Sequence, residues 1–325
     1  MVALWKGVKG ASGGIVMRIG SLLLALAVLE CACQGAPAVT FSEAPGKIEV
    51  RIEGQPFTAL HYGEELDKPF FHPFRAASGV LVTRGWPVDP APGETTDHPH
   101  HRGLWWAHGR TNGVDFWTTA KNTGRYRLKS PPSVNRARGS IGLSLAMAAP
   151  DGRVLGSLEE SYVFSAEGRN RIVDVTIRVL ADRGIDLTLG DTKEGVMAFR
   201  VADDLTEPKG ARLVNSEGGV GEKQIWGKRA RWVDYSGKIG SEVVGVAMFD
   251  HPSNPNFPTY WMARGYGLLA ANATGAHEFT GDDKLDGTIV IPAGKSIQFR
   301  HRIVIHPGDA EAARVEEMYR RFAAE

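Results

Sequence analysis

The 325-residue chain carries 38 Lys and Arg against 37 Asp and Glu, a formal net charge of +1. No basic stripe breaks that balance, which excludes the electrostatic footprint of a nucleic-acid binder. The two cysteines, Cys31 and Cys33, both fall near the N-terminus, so the rest of the chain has no disulfide framework, no Cys-ligated zinc and no cysteine nucleophile.

Residues 1–38 read as an export signal. Lys6, Lys9 and Arg18 form a positive region, and residues 19–29 an apolar core too short to span a bilayer comfortably. Ala36-Pro37-Ala38 fits a small-x-small cleavage site, so a mature chain starting near Val39 is expected, periplasmic or secreted. Met17 is an alternative start. The alternative of a lipid-anchored form is weakened by Glu30, which directly precedes Cys31 and lies three residues before Cys33. Without the leader the charge is about −1. No later segment is apolar and long enough to cross a membrane, so no integral membrane domain is expected.

Most of the remaining sequence, 39–325, reads as a single all-β domain. Residues 47–53 and 56–62 suit a hairpin turning at Gly54. Residues 62–96 are irregular and rich in Pro and Gly, a length usually reserved for a functional loop or an insertion. Strands are expected at 141–148, 158–164 and 171–180, the last two forming a hairpin. Ile172, Val173, Val175, Ile177 and Val179 give that last strand the period-two pattern of one buried face. Further strands are expected at 185–189, 195–201, 243–249, 268–272, 287–291 and 296–305, the last pair joined by Pro292-Ala293-Gly294-Lys295. Asp309 suits the N-cap of a C-terminal helix over 310–323, with Val315, Met318, Tyr319 and Phe322 as its apolar stripe. So many strands in one run predict a large antiparallel β-sandwich with a short C-terminal helix.

The densest chemistry lies in Asp97-His98-Pro99-His100-His101-Arg102-Gly103-Leu104-Trp105-Trp106-Ala107-His108-Gly109 and its continuation to Trp117. Residues 98–117 hold four of the ten histidines and three of the eight tryptophans. On an extended segment His98 and His100 share a face and could chelate one divalent metal, although no third ligand is evident nearby. The other reading needs no cofactor: His100, His101 or His108 serves in acid–base work or holds a sugar hydroxyl. His101 and His108, seven residues apart, share a site only if the chain turns. Trp105, Trp106 and Trp117 offer flat faces for a sugar ring, but adjacent Trp105 and Trp106 must point oppositely. Arg102, Asn112 and Asp115 are candidate binding groups beside them.

Farther along, Glu194 follows an apolar strand, where a partly apolar cleft would raise its pKa and suit it to act as acid or base. His277 and Glu278 offer a second acid–base pair. Arg264 can steady a developing anion. His251 and Asn254, in a Pro-rich loop, and Trp261 are candidates for lining a cleft. Trp226 and Trp232 are expected in the core, and His301 and His306 in structural roles. No Gly-x-Ser-x-Gly, P-loop, dinucleotide fingerprint or His-Glu-x-x-His occurs.

Three motifs carry a resemblance: the His-rich segment, Ala230-Arg231-Trp232-Val233-Asp234-Tyr235-Ser236-Gly237, and Phe249-Asp250-His251-Pro252-Ser253-Asn254-Pro255 leading to Trp261-Met262-Ala263-Arg264-Gly265-Tyr266-Gly267. They resemble the bacterial family labelled "PmoA family" or "methane oxygenase PmoA", a domain of unknown function, over nearly all of the chain past the leader. The methane label does not extend to chemistry, because the methane monooxygenase subunit of that name is an integral membrane protein. More distantly, His101-Arg102-Gly103, Gly113, Asp115 and Trp117 look like the sugar-binding region of galactose-mutarotase-like proteins. The Asn-x-x-x-His approach to that motif is missing. The likeness implies a supersandwich with a carbohydrate ligand in a cleft on one sheet. It also implies an activity among epimerases, lyases and hydrolases, with a non-catalytic glycan-binding protein or a metal-dependent enzyme as alternatives. The spatial expectation is that the His-rich regions 98–108 and 251–306 meet.

Overall fold

The computed structural model describes residues 38–182 and 184–325; the expected leader lies outside them, apart from Ala38. Eight strands form one antiparallel sheet in the spatial order Val39–Ala44, Lys47–Ile52, Gln55–His61, Phe70–Phe71, Leu104–His108, Gly195–Arg200, Leu268–Asn272, Tyr260–Arg264. A second antiparallel sheet of nine strands is built on the long hairpin Val154–Glu167 and Asn170–Ala181, with Ser296–Pro307 and Glu242–Asp250 beside it. The expected all-β sandwich with a short C-terminal helix is thus what the chain forms.

The two sheets pack face to face through aromatic side chains. Phe71 meets Tyr162 with ring centroids 4.5 Å apart, and Trp106 meets Phe299 at 5.0 Å. Each such side chain contributes roughly 2–3 kcal/mol by leaving water. In the Asn170–Ala181 strand Val173, Val175, Ile177 and Val179 are all buried on the inward face, as the period-two pattern required.

The C-terminal helix, Val315–Ala323, covers the outer side of the nine-stranded sheet. Val315, Met318, Tyr319 and Phe322 pack there on Ile172, Trp232, Phe249 and Val304. It starts five residues later than expected. Asp309 does cap a backbone N–H, that of Ala312 at 2.9 Å, but only within a turn. Arg314 then adopts a left-handed backbone (φ 55°), and the helix begins after it.

Because Trp106 points at the second sheet, Leu104, Trp106 and His108 face inward, and Trp105 and Ala107 face outward. Register carries that assignment across the sheet. Trp105 opposes Ala198, Ala198 opposes Ala270, and Ala270 opposes Met262. Paired residues share a face, so the outward set runs Trp105, Ala198, Ala270, Met262. Small residues lie in the middle, flanked by large ones, and Ala198 and Ala270 are fully buried, so this face is covered there. Along the Gly195–Arg200 strand the same face carries Val196, Ala198 and Arg200. Glu194 directly precedes the strand, its carbonyl accepting the Gly109 N–H at 2.7 Å, at the other end from Arg200.

Candidate active site on the outward face

At one end of this face the His-rich segment folds over the sheet. His98 has a left-handed backbone (φ 42°), and the His101 N–H bonds back to the His98 carbonyl at 2.9 Å. The segment is a turn rather than extended, so His98 and His100 do not lie side by side on one strand face as expected. Their ring centroids are 5.8 Å apart, with planes at 75°. Gly103 closes the turn at φ 62°; a Cβ there would lie 2.0 Å from the Phe71 carbonyl oxygen, so only glycine fits.

The rings form a ladder. Tyr266, from the turn after Tyr260–Arg264, stacks on His98 at 5.1 Å; His98 stacks on His101 at 4.7 Å, and His101 on Trp105 at 5.4 Å. Beneath it Arg84 and Arg200, both fully buried, converge on Asp97: Arg84 bonds Oδ1, and Arg200 Nη2 reaches the same oxygen at 3.0 Å. Arg200 also donates to His101 Nδ1 at 3.3 Å. Arginine only donates, so the His101 proton belongs on Nε2. Burial, then His100 and Arg200, hold His101 far below the usual histidine range, so it is neutral.

His100 stands apart from this ladder. Its ring is edge-on to His101 (4.4 Å) and to Trp117 (6.5 Å), and it is only partly buried. Burial, followed by the Lys68 charge, lowers it to about 4. Lys68 is itself buried, between Asp67 Oδ2 (2.5 Å) and the Trp117 carbonyl (3.0 Å). No hydrogen bond or ion pair engages the His100 ring among the described residues.

Glu194 holds the far end, half buried. Burial raises its carboxyl above the ordinary range; Lys193 offsets part of this, and Asp115 and Glu278 add to it. Its carboxylate also makes no hydrogen bond or ion pair among the described residues. The Asp115 charge bears on both Glu194 and His100.

Other expected site residues are committed elsewhere. His108 faces inward and is fully buried. Its Nδ1 accepts the Arg110 N–H at 3.2 Å, leaving Nε2 to donate to Thr274 Oγ1 at 3.0 Å. Both nitrogens of that imidazole are engaged inside the core, away from any ligand, which corrects its expected catalytic role. Trp105, Trp106, Trp117 and Trp261 are at most 2% exposed and offer no face to a sugar ring. Trp106 and Trp261 face the core, and Trp261 donates to the Ala230 carbonyl at 2.9 Å. Trp105 is roofed by His101.

Arg102 is held by the Pro99 carbonyl (3.1 Å) and Asp67 (2.9 Å). Asp115 accepts from the Trp117 N–H at 2.6 Å and from Thr118, shaping the loop. Asn112 bridges the Asp186 carbonyl (3.1 Å) and the Thr188 N–H (2.6 Å). Glu278 pairs with Lys193 at 3.1 Å, and His277 is exposed, 3.2 Å from the Asp282 carbonyl.

The regions 98–108 and 251–306 do meet, through Tyr266 on His98 and Thr274 on His108, but His251, His301 and His306 lie away from that contact. His251 is 2.9 Å from Arg300 and packs on Phe322 of the C-terminal helix. Asn254 bonds Asp250 at 2.6 Å and the Arg300 backbone at 2.7 Å. Both belong to the second sheet and its helix. His301 and His306 are buried in the same sheet, His306 paired with Asp234 at 2.7 Å, in the structural roles expected. Among the described residues no group of three or more His, Cys, Asp or Glu is arranged to hold a metal, so His98 and His100 find no third ligand.

Sequence reasoning missed Arg84, Asp97, Arg200, Tyr266 and Lys68. The period-two run Glu194, Val196, Ala198, Arg200 held the signal for Arg200, since Glu194 was already a candidate. Tyr266 lies in a quoted motif, two residues past Arg264.

The class defined by this architecture is an antiparallel β-sandwich with a cluster of polar and aromatic side chains on the outer side of one sheet. The chain belongs to a family of unknown function (DUF6807), matched over residues 47–320. That description carries no activity and no methane label. No curated protein matches the sequence. Among solved structures, the chain is similar to the GH36 alpha-galactosidase AgaB from Geobacillus stearothermophilus, at 12% identity and a TM-score of 0.37, covering 84% of this chain and 41% of that one. The GH36 alpha-galactosidase AgaA from the same organism is similar at 12% identity and a TM-score of 0.29, covering 83% and 40%. The chain thus spans about two-fifths of either enzyme's length. No helix among the described residues is long and apolar enough to cross a membrane.

Proposed function

We propose that this protein is a carbohydrate-active enzyme that moves a proton on a sugar bound at the outward side of the eight-stranded sheet, with His100 as base and Glu194 as acid. One observation carries the reading. Among the titratable candidates, only these two side chains are free of any hydrogen bond or ion pair to described residues. Burial moves both toward their uncharged forms, His100 to about 4 and Glu194 upward. A neutral imidazole can take a proton, and a carboxylic acid can give one. Arg264, on the edge strand of the same face, positions the ligand.

The reaction falls among epimerisation, elimination and hydrolysis. The likeness of residues 101–117 to galactose-mutarotase-like proteins supports a carbohydrate ligand, and the apolar run at 19–29 supports action outside the cytoplasm. Burial of the tryptophans weighs against a purely glycan-binding role, which would need an exposed aromatic platform.

The test is incubation with a panel of neutral and oxidised mono- and oligosaccharides, with products followed by NMR. His100→Asn and Glu194→Gln should each slow turnover by about 100- to 10,000-fold while circular dichroism stays unchanged. Turnover that both variants leave intact overturns the assignment, and binding without turnover by the native protein points to the glycan-binding role instead.

A further inference from the structure

We propose that the ligand of this site carries an oxyanion, a sugar carboxylate or sulfate, received by Arg264. This rests on the carbohydrate reading above and narrows it to acidic sugars.

The argument is a census of donors and acceptors at the His-rich end. Buried nitrogens there that lack a hydrogen-bond partner include Nε of Arg84, Arg200 and Arg264, Nε2 of His101 and Nε1 of Trp105, with His72 Nδ1 and Trp86 Nε1 close to the same segment. All but His72 Nδ1 can only donate, given the His101 tautomer set by Arg200. Buried polar groups are rarely left unpaired, and those that are often mark a place where a ligand completes the set.

The carboxylates nearby are already engaged. Asp97 Oδ1 serves both Arg84 and Arg200. Asp203 accepts from the Thr95 N–H at 2.6 Å and its hydroxyl at 2.9 Å. Glu222 Oε2 accepts the Gly265 N–H at 2.6 Å. The remaining oxygen of Glu222 lies 2.7 Å from Arg264 Nε but is poorly aligned for a hydrogen bond.

Arg264 is the group in this set that can reach a ligand. Its side chain is 34% exposed, and none of its N–H groups makes a hydrogen bond among the described residues. Arg264 opposes Leu268, which opposes Arg200, so the two arginines occupy the same end of the outward face. The Tyr266 ring lies between them, 4.8 Å from the Arg200 guanidinium and 5.4 Å from that of Arg264. Those contacts and the Glu222 ion pair at Nε hold Arg264 and leave its two terminal nitrogens without a hydrogen bond among the described residues. Two such N–H groups match a carboxylate bidentately. At the opposite end Lys193 is paired with Glu278, so the acidic group belongs at the Arg264 end.

The experiment is calorimetric binding of uronate oligosaccharides, of the same oligosaccharides after carboxyl reduction, and of sulfated counterparts. The uronates should bind about 10-fold or more tighter than their reduced forms. Arg264→Gln should abolish that preference. Glu222→Gln, which removes the competing charge yet can still accept from Gly265, should increase it; this variant keeps the test decisive if Arg264→Gln fails to fold. Preference for the sulfated form over both others assigns the oxyanion as sulfate. Equal binding of charged and neutral forms, with turnover that depends on His100 and Glu194, overturns this inference and leaves the proposed function standing. Failure of every sugar to bind overturns both.

Discussion

Glu160 offers a sharp test of the packing described above. It occupies the inward face of the Val154–Glu167 strand, in alternation with Leu158, Tyr162 and Phe164, and is 6% exposed. Its one hydrogen bond among the described residues comes from the Tyr162 hydroxyl at 2.8 Å. Burial pushes its carboxyl up to about 7, from 4.5 in the open chain. A raised carboxyl binds its proton more tightly in the folded state. Stability is therefore full below the unfolded value and falls as pH rises toward the folded one. The gap corresponds to about 3 kcal/mol, most of it lost between pH 5 and pH 8. For a chain of this size that is roughly 6 °C in melting temperature. Asp250, also pushed up to about 7 by burial, adds a parallel loss. In Glu160→Gln this contribution disappears, so between pH 5 and pH 8 the melting temperature of the variant should rise by roughly 6 °C relative to that of the native protein. Thermal unfolding followed by circular dichroism measures it. An equal drop in native protein and variant refutes the placement of a titrating carboxyl between the sheets.

Burial lowers the pKa of His306, but Asp234, 2.7 Å away, more than offsets it, so its folded value is raised. That contribution is full below the unfolded histidine value and is lost as pH rises through the folded one. Asp234→Asn should therefore cost about 3–5 kcal/mol, more at pH 6 than at pH 9, in urea unfolding. Asp97→Ala strips the carboxylate from buried Arg84 and Arg200. Because Asp97 is 38% exposed, its cost should fall near the lower end of that range, about 3 kcal/mol, in the same assay. His108→Gln should lower the melting temperature while leaving the KM of an active sugar within about twofold, since both ring nitrogens serve the core. A large KM change would return His108 to the site.

Much of the fold was legible because period-two alternation is a property of local sequence. Residues 171–180 alternate cleanly, and that strand forms as expected. The Leu104–His108 strand was harder to see: all five of its residues are buried, on both faces, so no alternation shows. The reason lies outside the strand, in the 95–101 turn that roofs its outer side. The same roof explains the tryptophans. Trp105 and Trp106 do point oppositely, as a strand requires, yet neither reaches solvent, because one meets His101 and the other Phe299. His100 and Glu194 were readable as candidates from residue type and position. The long-range pairings that commit His108, Arg102 and His251, and leave those two free, depend on partners such as Thr274, Asp67 and Arg300 that local sequence does not reveal.

The most direct test of the central claim is a double-mutant cycle on kcat/KM with His100→Asn, Glu194→Gln and the pair together, measured on whichever panel sugar turns over. If the two groups serve one proton-transfer event, the double variant is no slower than about the slower single variant, because removing either already disables the step. Losses that simply multiply, or singles that retain native rates, would contradict a shared site.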